Sequence, residues 1–248
     1  MSEQTLKRLN KFISDTGLCS RREADKLIEQ NRVTINGKVP ELGTKVAPND
    51  TVEVDGTRIG AVAKDKSDRV YIVYNKPIGI TCTTERHVRG NIIDAIGHKE
   101  RIFPVGRLDK PSEGLIILTS DGDIVNKILR AENAHDKEYE VTVDQPVSDK
   151  FLNKMARGVP ILGTVTKPCT VKQTGRNKFT IILTQGLNRQ IRRMCEFLGY
   201  EVTKLKRTRI MHLALSNLRP GQWRELTARE LTTLNNAVKH STKTSQEK

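Results

Sequence analysis

The chain has 248 residues, which is enough for one large domain and a small one with a sizeable buried core. Lysine and arginine number 43 against 29 aspartate and glutamate, a formal net charge of +14. This balance favours a polyanionic partner, and nucleic acid is the first to consider. No apolar run approaches the roughly 18 residues of a membrane span, and the start MSEQTLKRLN lacks the apolar core of a signal peptide. We therefore expect a cytoplasmic protein without a membrane partner.

The motifs of several common enzyme classes are missing from the sequence. Neither a phosphate-binding G-x-x-x-x-G-K nor a G-x-G-x-x-G motif occurs, and there is no H-E-x-x-H or nucleophile elbow. The cysteines form no C-x-x-C pair and have no histidine at ligand spacing; they are Cys19, Cys82, Cys169 and Cys195. The sequence thus predicts no disulfide framework, no metal site and no nucleotide cofactor.

Residues 5–60 are predicted to form a separate small module. Leu6, Leu9 and Ile13 recur at helical spacing and indicate a short amphipathic helix. Ser20, with a glutamate three residues later, is a capping box that begins a second helix. Both helices carry basic residues beside their apolar faces, which is typical of an RNA-binding module.

The second helix and the residues after it carry the more specific pattern. Arg22 and Lys26 are four residues apart, so they project together and are candidate RNA contacts. Asn-Gly at 36–37 and Asp-Gly at 55–56 lie between β-branched residues and predict two hairpins. The pattern SRREADKLI followed by VTING resembles the S4 RNA-binding domain. The alternative is that the charges only form a solvated helix face.

The rest of the chain is predicted to be a larger domain. Residues 61–69 are small, charged and non-periodic and indicate a linker, while residues 237–248 are too polar to pack and indicate a disordered tail. Between them, 70–236 alternate strands and helices. The predicted strands are VYIVYNKP, GLIILTSDGD, KEYEVTVD, NKFTIILTQG and EVTKLKRTRIMHLAL. The predicted helices are DIVNKILRA, SDKFLNKMARG, which Ser148 opens as its cap, NRQIRRMCEFLGY and one capped by Thr227 and Glu230. We expect an α+β fold on a mixed or antiparallel sheet.

The stretch GRLDKPSEGLIILTSDGD sets one carboxylate, Asp109, in a charged loop before an apolar run. From spacing alone an aspartate there is more often a turn or cap residue than a catalytic one. Loops held by a buried strand are nevertheless where many enzymes place their chemistry. An RNA-cleaving enzyme would need a histidine or metal-ligand cluster, and the five histidines form no such group in the sequence.

Several segments in order resemble the RsuA-type pseudouridine synthases, which carry an S4 domain ahead of the catalytic domain. They are YNKPIGITCTT, FPVGRLDKPSEGLIILTSDGD, KEYEVTV, GVPILGTVTKP and QGLNRQIRRMCEFLGYEVTKLKRTRI. The resemblance runs over about residues 5–235. It implies a monomeric enzyme that flips a uridine out of ribosomal RNA, with a 23S stem-loop as the expected substrate, and isomerises it. This isomerisation is redox-neutral and requires no cofactor or metal.

The resemblance also implies roles for particular residues. Asp109 of GRLD corresponds to the catalytic aspartate, and Arg192 to the arginine that pairs with it. Tyr139 corresponds to the tyrosine that stacks on the target base, and Leu205 to the apolar residue that closes the other side. Arg107 corresponds to the side chain that enters the RNA stack where the uridine has left.

The remaining basic residues are predicted to contact phosphates. Arg189 and Arg193 flank the paired arginine, and a predicted strand carries four more cations with alternating orientation, so about half of them would face one phosphate track. These four are Lys204, Lys206, Arg207 and Arg209. A rival from another class is a non-catalytic RNA-binding or ribosome-assembly protein that uses both domains to clamp RNA.

Overall fold

The computed structural model describes residues 6–60, 69–129 and 134–241. Residues 61–68 of the predicted linker and 242–248 of the predicted tail lie outside the described residues. The chain divides into two compact units, Met1–Asp68 and Arg69–Lys248. Each unit has its own apolar core and is described by itself.

Over residues 6–60, the first unit has two helices and two small sheets. Its elements are β1 (Lys7–Arg8), α1 (Leu9–Asp15), α2 (Arg21–Glu29), β2 (Val33–Ile35), β3 (Lys45–Val46), β4 (Val52–Val54) and β5 (Thr57–Ile59). Strands β1 and β3 pair antiparallel, and β2, β4 and β5 form a second sheet. The first helix was expected to include Leu6, but it begins at Leu9 because Lys7 pairs with Val46 in β3.

The two predicted hairpins of this unit have different outcomes. Asp55–Gly56 turns the chain directly from β4 into its antiparallel neighbour β5, and both residues have positive φ, as a tight hairpin turn requires. Asn36–Gly37 also forms a tight turn with positive φ. There, however, the pairing stops at a single bridge between Ile35 and Lys38, and β2 pairs with β4 instead. The prediction of a hairpin at 36–37 is therefore wrong beyond the turn itself.

The second unit contains the larger sheet and five helices among its described residues. In chain order these are β6 (Tyr71–Lys76), α3 (Ile92–Ile96), β7 (Phe103–Val105), β8 (Glu113–Thr119), α4 (Gly122–Leu129), β9 (Lys137–Val143), α5 (Asp149–Arg157), β10 (Pro160–Ile161), β11 (Thr164–Val165), β12 (Thr170–Gly175), β13 (Lys178–Leu183), α6 (Gln190–Phe197), β14 (Val202–Ile210), β15 (Leu213–Ala214), β16 (Trp223–Glu225) and α7 (Ala228–Val238). The predicted strands and helices are confirmed with one exception: the long strand expected over EVTKLKRTRIMHLAL is two strands, β14 and β15, which turn at Met211 and pair antiparallel. The last two residues of the predicted helix DIVNKILRA lie outside the described residues. The sequence did not predict α3, β7, β10, β11, β12 or β16.

The large sheet has the order β12-β13-β9-β14-β8-β6-β16 within the described residues. Strand β7 adds to β8 and β15 adds to β14. All neighbouring pairs are antiparallel except β14 and β8, which run parallel. The predicted α+β class with a mixed sheet is confirmed. The parallel pair sets the strand after α6 beside the strand that follows the Asp109 loop.

Helix starts follow the side-chain caps read from the sequence. The Ser20 hydroxyl accepts the Glu23 N–H at 3.1 Å and the Glu23 carboxylate accepts the Ser20 N–H at 2.7 Å. Ser148 caps α5, and Thr227 with Glu230 forms a second capping box at α7. None of the helices within the described ranges is long and apolar enough to cross a membrane.

The two faces of the central strands are covered differently. One face packs against α4 and α7. On the other, Ile72 and Tyr74 of β6 and Ile116 and Leu118 of β8 pack against α3 and its flanking loops. Leu108 belongs to this second cluster. The loop that holds Asp109 therefore lies over the second face.

Candidate active site

Asp109 lies in the loop between β7 and β8, and this loop is fixed by backbone hydrogen bonds. The Ser112 N–H donates to the Asp109 carbonyl at 2.9 Å and closes a four-residue turn. The Gly79 N–H donates to the Lys110 carbonyl at 2.8 Å and ties the turn to the segment after β6. These bonds fix the backbone at Asp109, and its side chain keeps 33% of its surface exposed, so the carboxylate is accessible.

A cavity of about 90 Å³ opens at this loop. It is lined by Arg107, Leu108, Asp109, Ser112, Tyr139, Leu183, Gln185, Gly186, Leu187, Arg189, Gln190, Ile191 and Leu205. Five of the residues predicted for the site are among them, from the Asp109 loop, β9, β14 and the start of α6. The structure thus brings together residues that are up to about a hundred positions apart in the chain.

Arg192 lies beside Asp109 without lining the cavity. Its Nε is 3.8 Å from Asp109 Oδ2, which is within ion-pair range but too long for a hydrogen bond. Its Nη1 donates to the Val202 carbonyl at 3.1 Å, and its Nη2 donates to Ser112 Oγ at 3.0 Å and to the Pro111 carbonyl at 3.4 Å. Burial lowers the pKa of Arg192, and the Asp109 carboxylate opposes that shift.

Tyr139 and Arg207 face each other across neighbouring strands β9 and β14. The Arg207 Cζ lies 6.0 Å from the centroid of the tyrosine ring, within the range of a cation–π contact. Arg207 is 4% exposed, its Nε donates to the Leu115 carbonyl at 2.7 Å, and its Nη2 has no hydrogen-bond partner among the described residues. Arg207 was predicted to face a phosphate track, but its guanidinium lies inside the protein because the register points it at Tyr139.

The other basic residues predicted to contact phosphates lie nearer the surface. Lys204 is exposed and Lys206 is half-buried on β14. Arg193 is half-buried on α6, and its guanidinium donates to the carbonyl and the side-chain oxygen of Asn188 at 3.1 and 3.3 Å. The Lys204 side chain is the most accessible of the three for a phosphate.

The start of α6 has an unusual backbone conformation at the cavity. Arg189 precedes the helix with φ 51° and ψ 34°, in the left-handed region that side chains other than glycine rarely adopt. The next residue, Gln190, is 5% exposed, and its Oε1 accepts the Leu187 N–H at 3.0 Å. This side chain holds the loop before the helix. The sequence did not single out Gln190, although it lies between two basic residues assigned to the site.

Two buried lysines lie on the strands next to the cavity. Lys76 is fully buried, and its Nζ donates to the carbonyls of Pro77 and Ile80, both at 2.9 Å. Burial lowers the pKa of Lys76, and Asp109 is among the charges that oppose the shift. Burial also lowers the pKa of Lys137 on β9 to about 8. Positive charge therefore lies beneath the surface on the side of the sheet that carries Asp109.

The predicted basic pair Arg22 and Lys26 belongs to the first unit. Both side chains are exposed on α2, while Ala24 and Ile28 of the same helix are buried in its core. The pair is therefore presented to solvent as predicted. Among the residues that the structure describes, no group of three or more His, Cys, Asp or Glu side chains is arranged to hold a metal ion.

The site thus combines an aspartate loop on a mixed sheet, a tyrosine on strand β9 and a half-buried arginine beside the carboxylate. The family model for RNA pseudouridylate synthases matches residues 70–197, and the S4 domain model matches residues 7–52. The chain belongs to the RNA pseudouridylate synthase family. It is a pseudouridine synthase with an N-terminal S4 domain, so the resemblance seen in the sequence is confirmed.

Individual relatives give a finer comparison. The segments KILRAENAHDKEYEVTVDQPVS and GTVTKPC predict the branch of ribosomal large-subunit pseudouridine synthase F. That branch is confirmed by the dual-specificity RNA pseudouridine synthase RluF of Salmonella typhi, which is 57% identical over 94% of this chain and 80% of the relative. The ribosomal large subunit pseudouridine synthase B of Bacillus subtilis is 34% identical over 95% of this chain and 98% of its own. A crystal structure of a pseudouridylate synthase matches with a TM-score of 0.67 and 27% identity, covering 92% of this chain and 99% of the other.

Proposed function

We propose that the cavity isomerises a uridine in a stem-loop of 23S ribosomal RNA, that Asp109 carries the reaction, and that the enzyme works as a monomer in the cytoplasm. The observation that supports this most directly is the accessible Asp109 carboxylate in a cavity whose walls include Tyr139 and Leu205. The net charge of +14 supports an RNA substrate, and the name of the Bacillus subtilis relative, which specifies the large ribosomal subunit, supports the 23S target.

The proposed reaction conserves every atom except one exchanged proton. The bond between ribose C1′ and uracil N1 breaks, the base turns, and a new bond joins C1′ to C5. The hydrogen on C5 leaves as a proton, and N1 gains one. An ionised Asp109 can attack the sugar or the base ring, or accept a proton in an elimination route, and each of these routes needs the same carboxylate.

The residues around Asp109 have complementary roles in this proposal. The guanidinium of Arg192, which is partly buried, offsets the negative charge of the Asp109 carboxylate. The Tyr139 ring stacks on one face of the uracil, and Leu205, which is buried at the cavity wall, closes the other side. Arg107 is exposed at the rim and fills the gap that the extruded uridine leaves in the RNA stack.

Extruding the uridine from a folded stem costs a few kcal/mol in lost stacking and pairing. Phosphate contacts supply favourable energy against this cost. The residues proposed for them are Arg189, which lines the cavity at the start of α6, and Arg193 one turn further. Lys204 and Lys206 alternate with the cavity residue Leu205 along β14, so their side chains project from the opposite face of the sheet and would meet phosphates there. Because phosphate contacts release counterions, RNA affinity should fall as salt rises.

The two units divide the work in this proposal. Residues 5–60 bind RNA and residues 70–236 carry out the chemistry, with 61–69 as the linker. The tail was expected from residue 237, but α7 extends to Val238, which is buried in the core, so these two residues belong to the catalytic unit. The S4 match over 7–52 and the boundary between the compact units after Asp68 support this division.

The direct test is tritium release from ribosomal RNA labelled at uridine C5, because that hydrogen leaves when C5 takes the sugar bond. Unmodified large-subunit RNA, small-subunit RNA, assembly intermediates and the small-RNA fraction are compared. The last is included because the name of the Salmonella typhi relative specifies dual specificity. Release from large-subunit RNA at one mapped uridine is expected. No release from any of these RNAs would contradict the proposal, and release from small-subunit RNA alone would contradict the 23S target.

Charge reversal at Arg22 and Lys26 tests the role of the S4 unit. Arg22→Glu with Lys26→Glu should weaken binding to the full-length RNA substrate and lower the slope of log affinity against log salt by about 0.7–0.9 for each phosphate that the variant no longer neutralises. Both side chains are exposed and project together from α2, so the fold of the unit should be unaffected. Filter binding across a salt series measures both quantities.

The control for this experiment makes the same charge change elsewhere on the first unit. Lys38→Glu with Lys45→Glu also reverses two exposed lysines. If the affinity and the slope fall equally in the two double variants, net charge accounts for the effect and α2 has no special role. If the α2 variant binds as tightly as the wild type, the proposed α2 contact with RNA is wrong.

A further inference from the structure

The Arg192 guanidinium has an edge that is shared between two different partners. In arginine, Nε–H and one Nη2–H lie on the same edge, and this fork normally binds both oxygens of one carboxylate. Here Nε faces Asp109 Oδ2 at 3.8 Å, while Nη2 donates to Ser112 Oγ at 3.0 Å and to the Pro111 carbonyl at 3.4 Å. Asp109 therefore has access to one end of the fork, because the other end is occupied.

Ser112 is well placed to keep that end occupied. The residue is 1% exposed, and its backbone N–H donates to the Asp109 carbonyl at 2.9 Å. Asp109 and Ser112 are thus the first and last residues of one turn, and both meet the guanidinium of Arg192. On the opposite side, Nη1 is held by the Val202 carbonyl at 3.1 Å. The orientation of the guanidinium is fixed at both ends by groups other than Asp109.

We propose that Ser112 is a positioning residue that holds Nη2 of Arg192 away from Asp109, so that the arginine offsets the carboxylate charge without binding both of its oxygens. This inference rests on the proposed role of Asp109. A bidentate arginine pair takes one lone pair of each carboxylate oxygen and so makes both oxygens weaker nucleophiles and bases, whereas a one-sided pair leaves one oxygen unbound. By accepting a hydrogen bond from Nη2, the Ser112 hydroxyl keeps the Nε of Arg192 at 3.8 Å from Asp109 Oδ2 and keeps Nη2 out of the ion pair.

Removing the hydroxyl frees one Nη2–H in a buried site, where an unpaired donor is unfavourable. The closest negative charge is Asp109, so the guanidinium is expected to move toward it and form the two-bond pair. Substrate binding uses other residues of the cavity and the S4 unit, so the affinity for RNA should change little. The expected result is a lower kcat with an unchanged KM.

The test compares Ser112→Ala and Ser112→Cys with the wild type by tritium release from the labelled RNA. The cysteine keeps the volume of the side chain and is a weak acceptor. Both variants should lower kcat about tenfold and leave KM within about twofold, the pattern of an interaction that acts in the transition state. Thr166→Ala is the matched control, because it removes a buried hydroxyl that accepts the Val159 N–H at 2.9 Å outside the cavity. It should leave kcat unchanged.

Coupling to Arg192 separates this role from a general loss of structure. In an Arg192→Lys background the lysine has no fork, so Ser112→Ala should lower kcat no further, whereas independent effects would multiply. The inference would be overturned if both Ser112 variants had the kcat of the wild type. It would also be overturned if the losses of kcat from Ser112→Ala and Arg192→Lys multiplied in the double variant. If Arg192→Lys has no measurable rate, an equal loss of kcat in Thr166→Ala and the Ser112 variants overturns it instead. An inactive wild-type enzyme would contradict the proposed function, which is a different result.

Discussion

Asp109→Asn is expected to abolish tritium release from C5-labelled ribosomal RNA, with a loss of at least about 10,000-fold in single-turnover rate. Asparagine has nearly the same shape as aspartate, so the turn closed by Ser112 N–H should be retained. It has no negative charge to offset the developing sugar cation and no carboxylate to act as a nucleophile or base. RNA binding should be retained or become slightly tighter, because a negative charge leaves a surface that faces a polyanion.

The matched control is Asp144→Asn, measured in the same assay. Asp144 is exposed, and its Oδ1 accepts the Glu201 N–H at 2.8 Å, a bond that an asparagine oxygen can also accept. Its rate should equal that of the wild type. Residual release by Asp109→Asn at a tenth of the wild-type rate or more would assign the chemistry to another group.

Gly114→Ala is expected to destabilise the second unit by about 3 kcal/mol or more. Gly114 is the second residue of β8, beside the parallel strand β14, and has φ 112°, a conformation that alanine rarely adopts. A Cβ there would lie 2.2 Å from the Arg207 carbonyl oxygen and 2.6 Å from the Arg207 nitrogen. Both are backbone atoms, so the two strands would have to separate. Because β14 carries Leu205, activity should fall along with stability.

Urea unfolding followed by near-ultraviolet circular dichroism measures this loss, and Gly163→Ala provides its control. Gly163 has φ 71° but no atom within 4 Å of an added Cβ, so the control isolates the cost of the backbone conformation. That cost should be about 1–2 kcal/mol. Equal losses in the two variants would mean that contact with Arg207 contributes nothing and that β8 and β14 adjust freely.

Features set by neighbouring residues could be predicted from the sequence. The caps at Ser20, Ser148 and Thr227 place three helix starts correctly, since a cap needs only a side chain and the N–H groups of the next turn. The turn at 55–56 likewise needs only two residues that tolerate positive φ. The candidate site was found differently: the charged loop before an apolar run drew attention to Asp109, but its catalytic role and that of Tyr139 came only from the family resemblance.

Features set by strand register could not be predicted. Simple alternation along β14 would place its cations on two faces, but the pairing with β9 shifts register on both sides of the segment Lys204–Arg207. As a result, Arg207 is buried against Tyr139, and Arg209 donates to the Glu138 carboxylate at 2.8 Å. Neither contact can be read from the spacing of basic residues, because each depends on which residue of β9 lies opposite.

The order of strands in the large sheet differs from their order of synthesis. Strand β6 lies near the start of the second unit, yet its outer neighbour in the sheet is β16, close to the end of the described chain. The residues that line the cavity likewise extend along the chain from Arg107 to Leu205. The described core of the first unit, in contrast, is built from residues between Leu9 and Ile59. On a chain emerging from the ribosome, all the described core residues of the S4 unit are therefore present before the lining residues of the cavity between Leu183 and Leu205 have been synthesised. A nascent chain can acquire the surface for holding RNA well before it acquires the means to alter it.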